Sequence, residues 1–169
     1  MELHTNTQKS TLHPVIQRLF DKRGYQQQDI QEFLSWDLKS LPDFSSLKDI
    51  QLCADIIIEH LNADKKIAIY GDYDVDGTTS CALFYHFFKK LGVEVDLVQP
   101  SRFIEGYGLH NSSIDSALER GIDLMITVDC GISNIEAAAY AKEKGLGLII
   151  TDHHKDAREH MPDCLAVVN

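Results

Sequence analysis

The chain has no Lys/Arg-rich stripe, no cysteines paired at metal-ligand spacing and no apolar run near the roughly 20 residues a bilayer crossing needs. The last absence argues against a membrane-spanning helix. Acidic residues outnumber basic ones, 26 to 16, for a net charge of -10. These residues alone therefore lack the electrostatic footprint of a nucleic-acid-binding surface. Cys53, Cys81, Cys130 and Cys164 stand apart from one another, three of them in apolar segments. That pattern reads as buried, reduced thiols in a cytosolic protein. Residues 1–11 are polar, lack the apolar centre of a secretory signal and read as a flexible end.

What is present is enough for a core. The 169 residues are 44% hydrophobic, the range of a globular domain. Residues 12–64 read as a helical lead-in. Pro14 can open a helix to about Arg23, with Val15, Ile16, Leu19 and Phe20 on one face and Gly24 ending it. A second short helix holds Ile30, Phe33 and Leu34. After Pro42, Ser46 can cap a third, in which Leu47, Ile50, Cys53, Ala54, Ile57, Ile58 and Leu61 recur at helical spacing.

Residues 65–169 change character. Short apolar runs predict strands near 66–71, 93–98, 122–128, 146–151 and 165–168. Helical patterns fall near 78–91, 112–120 and 133–144, and Gly92, Gly121 and Gly145 punctuate their ends. Ser133 and Glu136 have capping-box spacing. Alternating strands and helices, with near-continuous apolar strands, predict an α/β fold: a parallel sheet with helices on both faces.

The polar residues gather beyond strand ends, where open α/β sheets bind ligands. Asp72, Asp74 and Asp76 put three carboxylates on one turn, and such a cluster calls for a cation. The spacing also matches the opening of a calcium-binding EF-hand loop. That reading fails because a strand precedes the turn and Leu83 stands where the bidentate Glu should be. Arg102 follows the second strand, Asp129 the third, and Asp152-His153-His154 the fourth. One histidine can bind metal while the other contacts phosphate, and Asp152 can instead orient a histidine. Mixed carboxylate and imidazole ligands suit Mn²⁺, Zn²⁺, Fe²⁺ or Co²⁺ better than Ca²⁺. Thr78, Thr79 and Ser80 open the next helix, where free N–H groups either hold a phosphate oxygen or simply cap the helix. In the loop 102–109, Arg102 can neutralise phosphate, and Tyr107 can stack on a base or merely pack.

The stretches Ile69 to Ser80, Arg102 to Leu109, Val128 to Gly131 and Thr151 to His154 together resemble the DHH phosphoesterase superfamily. Within it they resemble the RecJ family of single-strand-specific 5′→3′ DNA exonucleases. The resemblance implies two metal ions, usually Mn²⁺ with Mg²⁺ or Co²⁺ as substitutes, and a bridging water that attacks phosphorus. It implies that Asp74 and Asp76 each hold one metal, Asp129 bridges both, and His153 joins the metal held by Asp76. His154 would hydrogen-bond beside them or contact phosphate. Many relatives carry a histidine ligand where this chain has Tyr70, and Asp72 is the candidate to replace it, directly or through water. Single-stranded DNA is the implied substrate, in DNA repair and recombination. A single-strand-binding protein and a helicase are the implied protein partners, in the cytoplasm and away from membranes.

The same resemblance implies a further Asp ligand and a second lobe downstream. The 169 residues are thus expected to be an amino-terminal portion, truncated within the DHH domain, that binds Mn²⁺ weakly and digests DNA poorly by itself. Two rivals stay open: a DHH phosphodiesterase of short oligonucleotides or cyclic dinucleotides, and a non-catalytic, replication-associated scaffold on the same fold.

Overall fold

The structure, a computed structural model, describes residues 12–35, 39, 41–155 and 160–169. The expected flexible end, 1–11, lies outside them. The chain divides into two units, one ending at Pro42 and one running from Asp43 to Asn169.

The first unit holds α1 (Pro14–Lys22) and α2 (Gln27–Phe33). Proline at the first helical position loses nothing, since its missing N–H would be unpaired there anyway. Phe20 is buried, and its ring meets Tyr25 and Phe33 edge-on at 5.3 and 5.5 Å. The rest of the expected apolar face stays exposed: Val15, Ile16 and Leu19 are not covered.

The second unit is a five-stranded parallel sheet in the order β2-β1-β3-β4-β5. Its strands are β1 (Ile67–Gly71), β2 (Asp96–Val98), β3 (Leu124–Val128), β4 (Gly147–Thr151) and β5 (Ala166–Val168). Its helices are α3 (Ile50–Asn62), α4 (Val75–Lys90), α5 (Asn111–Glu119) and α6 (Ile135–Lys144). Alternate side chains feed two cores, as the period of two along a strand requires. Ile67, Ile69, Leu124, Ile126 and Ile149 pack with Cys53 of α3 and Cys81 and Phe88 of α4. On the other face Ala68, Tyr70, Met125, Leu148 and Ile150 pack with α5 and α6. The expected fold class is therefore the observed one, with helices on both faces.

Local boundaries moved for identifiable reasons. The division of the chain falls after Pro42 rather than near residue 64, because Cys53, Ile56, Ile57 and Leu61 pack α3 into the sheet's core. Ser46 does not cap α3. It ends a 3₁₀ turn, Phe44–Ser46, whose cap is Asp43, while α3 begins at Ile50 after the left-handed Asp49 (φ 58°). The Ser133–Glu136 capping box is absent too: α6 starts after Asn134, with no side-chain cap. A turn closed by the Asn134 N–H on the Gly131 carbonyl (2.9 Å) occupies that stretch. β2 is shorter than expected because it is an edge strand with only β1 beside it, in register from Ala68↔Asp96. Among the described residues no helix is long and apolar enough to cross a membrane.

Candidate metal centre

The strand order places a switch point between β1 and β3. From β1 the chain crosses outward to β2, then returns past β1 to β3. Ligand crevices open beyond the carboxyl ends of strands at such points. Asp72 follows β1 and Asp129 follows β3, so the two flank that crevice, and His153 and His154 stand beyond the adjacent β4.

The acidic turn is built by its own carboxylates. Asp74 caps α4: its Oδ1 accepts the Gly77 N–H at 3.0 Å, which also holds the Asp74 carboxyl below the usual carboxylate range. Asp76 sits in the first turn, where the helix dipole favours negative charge. The helix therefore starts at Val75, one turn earlier than expected. Thr78, Thr79 and Ser80 lie in its second turn, and they do not offer the free N–H groups expected of them. The Thr78 N–H donates to the Asp74 carbonyl (3.0 Å), and the Thr79 hydroxyl donates back to the Val75 carbonyl (2.7 Å). Gly77 is required by a close approach: a Cβ there would stand 2.3 Å from the Asp72 carbonyl oxygen and 2.6 Å from its nitrogen. Gln99 ties the same turn down, donating to the Asp72 carbonyl (3.1 Å) and the Thr78 hydroxyl (3.2 Å).

Asp129 holds a left-handed backbone (φ 62°), a conformation Asp tolerates better than most residues. Its N–H donates to the Thr151 carbonyl (3.0 Å), and the Thr127 hydroxyl closes the turn on the Cys130 carbonyl (2.8 Å). Burial, then the neighbouring Asp74 charge, push the Asp129 carboxyl up; His153 works the other way. His153 Nε2 lies 2.9 Å from Asp129 Oδ1. A carboxylate only accepts, so that nitrogen carries the proton in this contact.

Asp152 organises the histidines. Its carboxylate accepts the N–H groups of Ile132 (3.0 Å), His153 (2.7 Å) and His154 (3.1 Å), and Nδ1 of His154 at 2.7 Å. Burial opposes the Asp152 charge, but those four donors together hold its pKa down. In turn the bond to Asp152 pushes the His154 imidazole up. The Tyr107 hydroxyl lies 3.2 Å from His154 Nδ1 and donates to the Asp129 carbonyl at 3.4 Å. Arg102 takes another direction, its guanidinium lying over the Tyr73 ring at 5.4 Å.

These groups fit a cation. Asp129, His153 and His154 offer ligand atoms within 4.8 Å of one another. Asp76, Thr79, Ser80, Asp129 and His153 line one open cavity of about 390 Å³. Asp72 is 1% exposed, and both of its carboxylate oxygens, with Asp129 Oδ2, are buried without a hydrogen-bond donor. Buried oxygens are rarely left so, and a bound cation supplies what the protein's donors do not. Two contacts are not legible in the sequence: those of Gln99 to the acidic turn, and the bond of the Tyr70 hydroxyl to the Gly108 carbonyl (2.8 Å), which turns that side chain away from the crevice. Neither partner is near in sequence.

Fold and site together define a doubly wound α/β domain with a carboxylate–imidazole cluster at its switch point. The family model "DHH family, N-terminal domain" matches residues 66–169, and the chain belongs to the DHH family. It is 40% identical over 164 residues to the single-stranded-DNA-specific exonuclease RecJ of Bacillus subtilis, covering 96% of this chain and 21% of that protein. The corresponding exonuclease of Haemophilus influenzae is 37% identical over 158 residues, covering 93% of this chain and 27% of that protein. A crystal structure of exonuclease RecJ bound to manganese superposes with a TM-score of 0.66 at 38% identity, over 76% of this chain and 31% of that one. The chain thus spans between a fifth and a third of the length of these relatives.

Proposed function

We propose that this chain supplies the metal-dependent phosphodiesterase centre of a RecJ-type 5′→3′ exonuclease acting on single-stranded DNA in repair and recombination. The observation that carries the reading is the set of donor-less buried carboxylate oxygens of Asp72 and Asp129 at the β1/β3 crevice. Asp74, Asp76, Asp129 and His153 would hold Mn²⁺, as two ions, with Asp72 completing the acidic wall; Mg²⁺ or Co²⁺ would serve in its place. The manganese in the similar RecJ structure supports that choice. Bound there, the metal would supply Lewis acidity and lower the pKa of a water.

The chain's own residues do the rest. Asp152 fixes a proton on His154 Nδ1, since a carboxylate only accepts, and favours the imidazolium, whose Nε2–H can donate to a phosphate oxygen. Tyr107 holds that ring edge-on, with centroids 5.8 Å apart. Arg102 brings positive charge for the DNA backbone to the neighbouring loop. Thr79 and Ser80 form part of the cavity wall rather than an N–H cradle. Resemblance alone supports a single-strand-binding protein and a helicase as partners, and a cytoplasmic setting.

The test is a chimera in which the matched 164 residues replace their counterpart in the Bacillus subtilis relative. With Mn²⁺ it should shorten single-stranded DNA from the 5′ end and lose that activity on Asp129→Asn. A folded, Mn²⁺-binding chimera that ignores long single strands but cleaves dinucleotides would favour the short-oligonucleotide reading instead.

A further inference from the structure

The loop between β2 and α5 carries Arg102 and Tyr107, and its two ends are held by side chains outside the metal centre. Glu105 Oε2 accepts the Ser101 N–H at 2.8 Å, closing the loop's entrance. Its Oε1 accepts the hydroxyls of Ser112 (2.9 Å) and Ser113 (3.4 Å) in the first turn of α5. At the exit, the Tyr70 hydroxyl of β1 donates to the Gly108 carbonyl at 2.8 Å. Ser113 is 5% exposed and reaches both, its hydroxyl lying 3.5 Å from the Tyr70 oxygen. Inside the loop the Ser101 carbonyl takes the N–H groups of Ile104 (3.2 Å), Glu105 (2.9 Å) and Gly106 (3.2 Å). Gly108 has φ +90°, and a Cβ there would come within 2.8 Å of the Asn134 side chain. Entrance, exit, sheet and helix are thereby joined through one network.

We propose that Tyr70 and Glu105 are positioning residues that clasp the loop 101–108 so that Tyr107 meets His154 and Arg102 stays over the Tyr73 ring beside the acidic turn. The proposal rests on the exonuclease reading for its substrate. It gives Tyr70 a different task from the metal-binding histidine that many superfamily members carry at that position. The phenol sits in the core on the α5/α6 face and is 0% exposed, so its hydroxyl needs an internal acceptor, and the Gly108 carbonyl provides it. Glu105 is ionised to do its part: the Ser101 N–H, then the Ser112 hydroxyl, hold its carboxyl below the usual range.

Tyr70→Phe, Glu105→Ala and Glu105→Gln test this in the full chain and in the chimera. In the chimera, the first two should raise the KM for single-stranded DNA about tenfold, since the Gly108 carbonyl loses its donor in one and the Ser101 N–H its acceptor in the other. The kcat and the Mn²⁺ affinity should stay within about twofold, because no metal-site carboxylate lies in the network. Glu105→Gln keeps one acceptor oxygen and should fall between wild type and alanine. In an Arg102→Ala/Tyr107→Ala background the same changes should add nothing, since residues that act through one another are not additive. Effects that persist in that background, or a parallel loss of Mn²⁺ affinity, would overturn the positioning role. In the full chain, amide exchange at Gly106 to Leu109 should accelerate on Tyr70→Phe. Unchanged protection there would refute the clasp whatever the enzyme's substrate, whereas an inactive unsubstituted chimera with the predicted exchange would count against the exonuclease reading alone.

Discussion

Replacing Asp129 with asparagine should stabilise the metal-free chain and at the same time remove its ability to be stabilised by Mn²⁺. Asp129 is 8% exposed, one of its oxygens has no donor, and the Asp74 charge stands nearby. Removing that charge relieves a buried, unpartnered group, a gain of about 1–2 kcal/mol. Asparagine is the right probe because it still accepts from His153 and tolerates the left-handed backbone at φ 62°. Alanine would add a conformational cost of about 1 kcal/mol and blur the result. In a domain of this size the gain should raise Tm by roughly 3–8 °C in chelator-treated buffer. Mn²⁺ at a hundred times its Kd should then add about 2.7 kcal/mol to the wild type and little to the variant, so the two melting curves exchange order. Scanning calorimetry with and without Mn²⁺ reads both. A variant that melts lower than wild type without metal, or that gains as much from Mn²⁺, would refute the reasoning.

Gly77→Ala should cost about 3 kcal/mol in urea denaturation, since its Cβ would press on the Asp72 backbone; a cost below about 0.5 kcal/mol would show that the turn can yield. The His154 imidazole should titrate above its ordinary value in metal-free protein and fall back in Asp152→Asn, as followed by NMR. The sign follows: a raised folded pKa stabilises the fold fully below the unfolded value of about 6.5, and that contribution fades as pH rises through the folded pKa. The His154 ring is half-exposed, so the stability change should be small while the NMR midpoint moves clearly. Cys81, pushed up by burial to about 11, should resist thiol reagents at pH 8 until the chain unfolds. Labelling of Cys81 in the native protein at the rate of a free thiol would contradict its packing between α4 and the sheet.

The strands were legible because both faces of a parallel sheet are buried. Ile67 to Tyr70 and Leu124 to Val128 are apolar runs that no surface helix would carry, apart from Thr127, which is satisfied by the turn after β3. The placement of acids and histidines beyond strand ends followed from that frame. The helix start did not. Asp74 reads as a metal ligand before a helix that opens at Thr78, and only the fold shows it capping through its bond to the Gly77 N–H. Nothing local marks Gly77 as special, yet the Asp72 backbone behind it demands glycine. Ser46 and Ser133 had good capping spacing but lost to neighbouring turns, which a local pattern does not reveal. The Tyr70–Gly108 bond spans 38 residues, so no window on the sequence contains both partners. Val15, Ile16 and Leu19 follow helical periodicity and remain exposed, because periodicity marks a face without supplying what covers it.

The central claim, a cation held at the β1/β3 crevice, is tested most directly by anomalous diffraction from crystals soaked in Mn²⁺. The account predicts anomalous peaks among the carboxylates of Asp74, Asp76 and Asp129 and the imidazole of His153, lost in Asp129→Asn. No peak there at saturating Mn²⁺, or peaks confined to other acidic groups such as Asp163 beside Lys142, would contradict it.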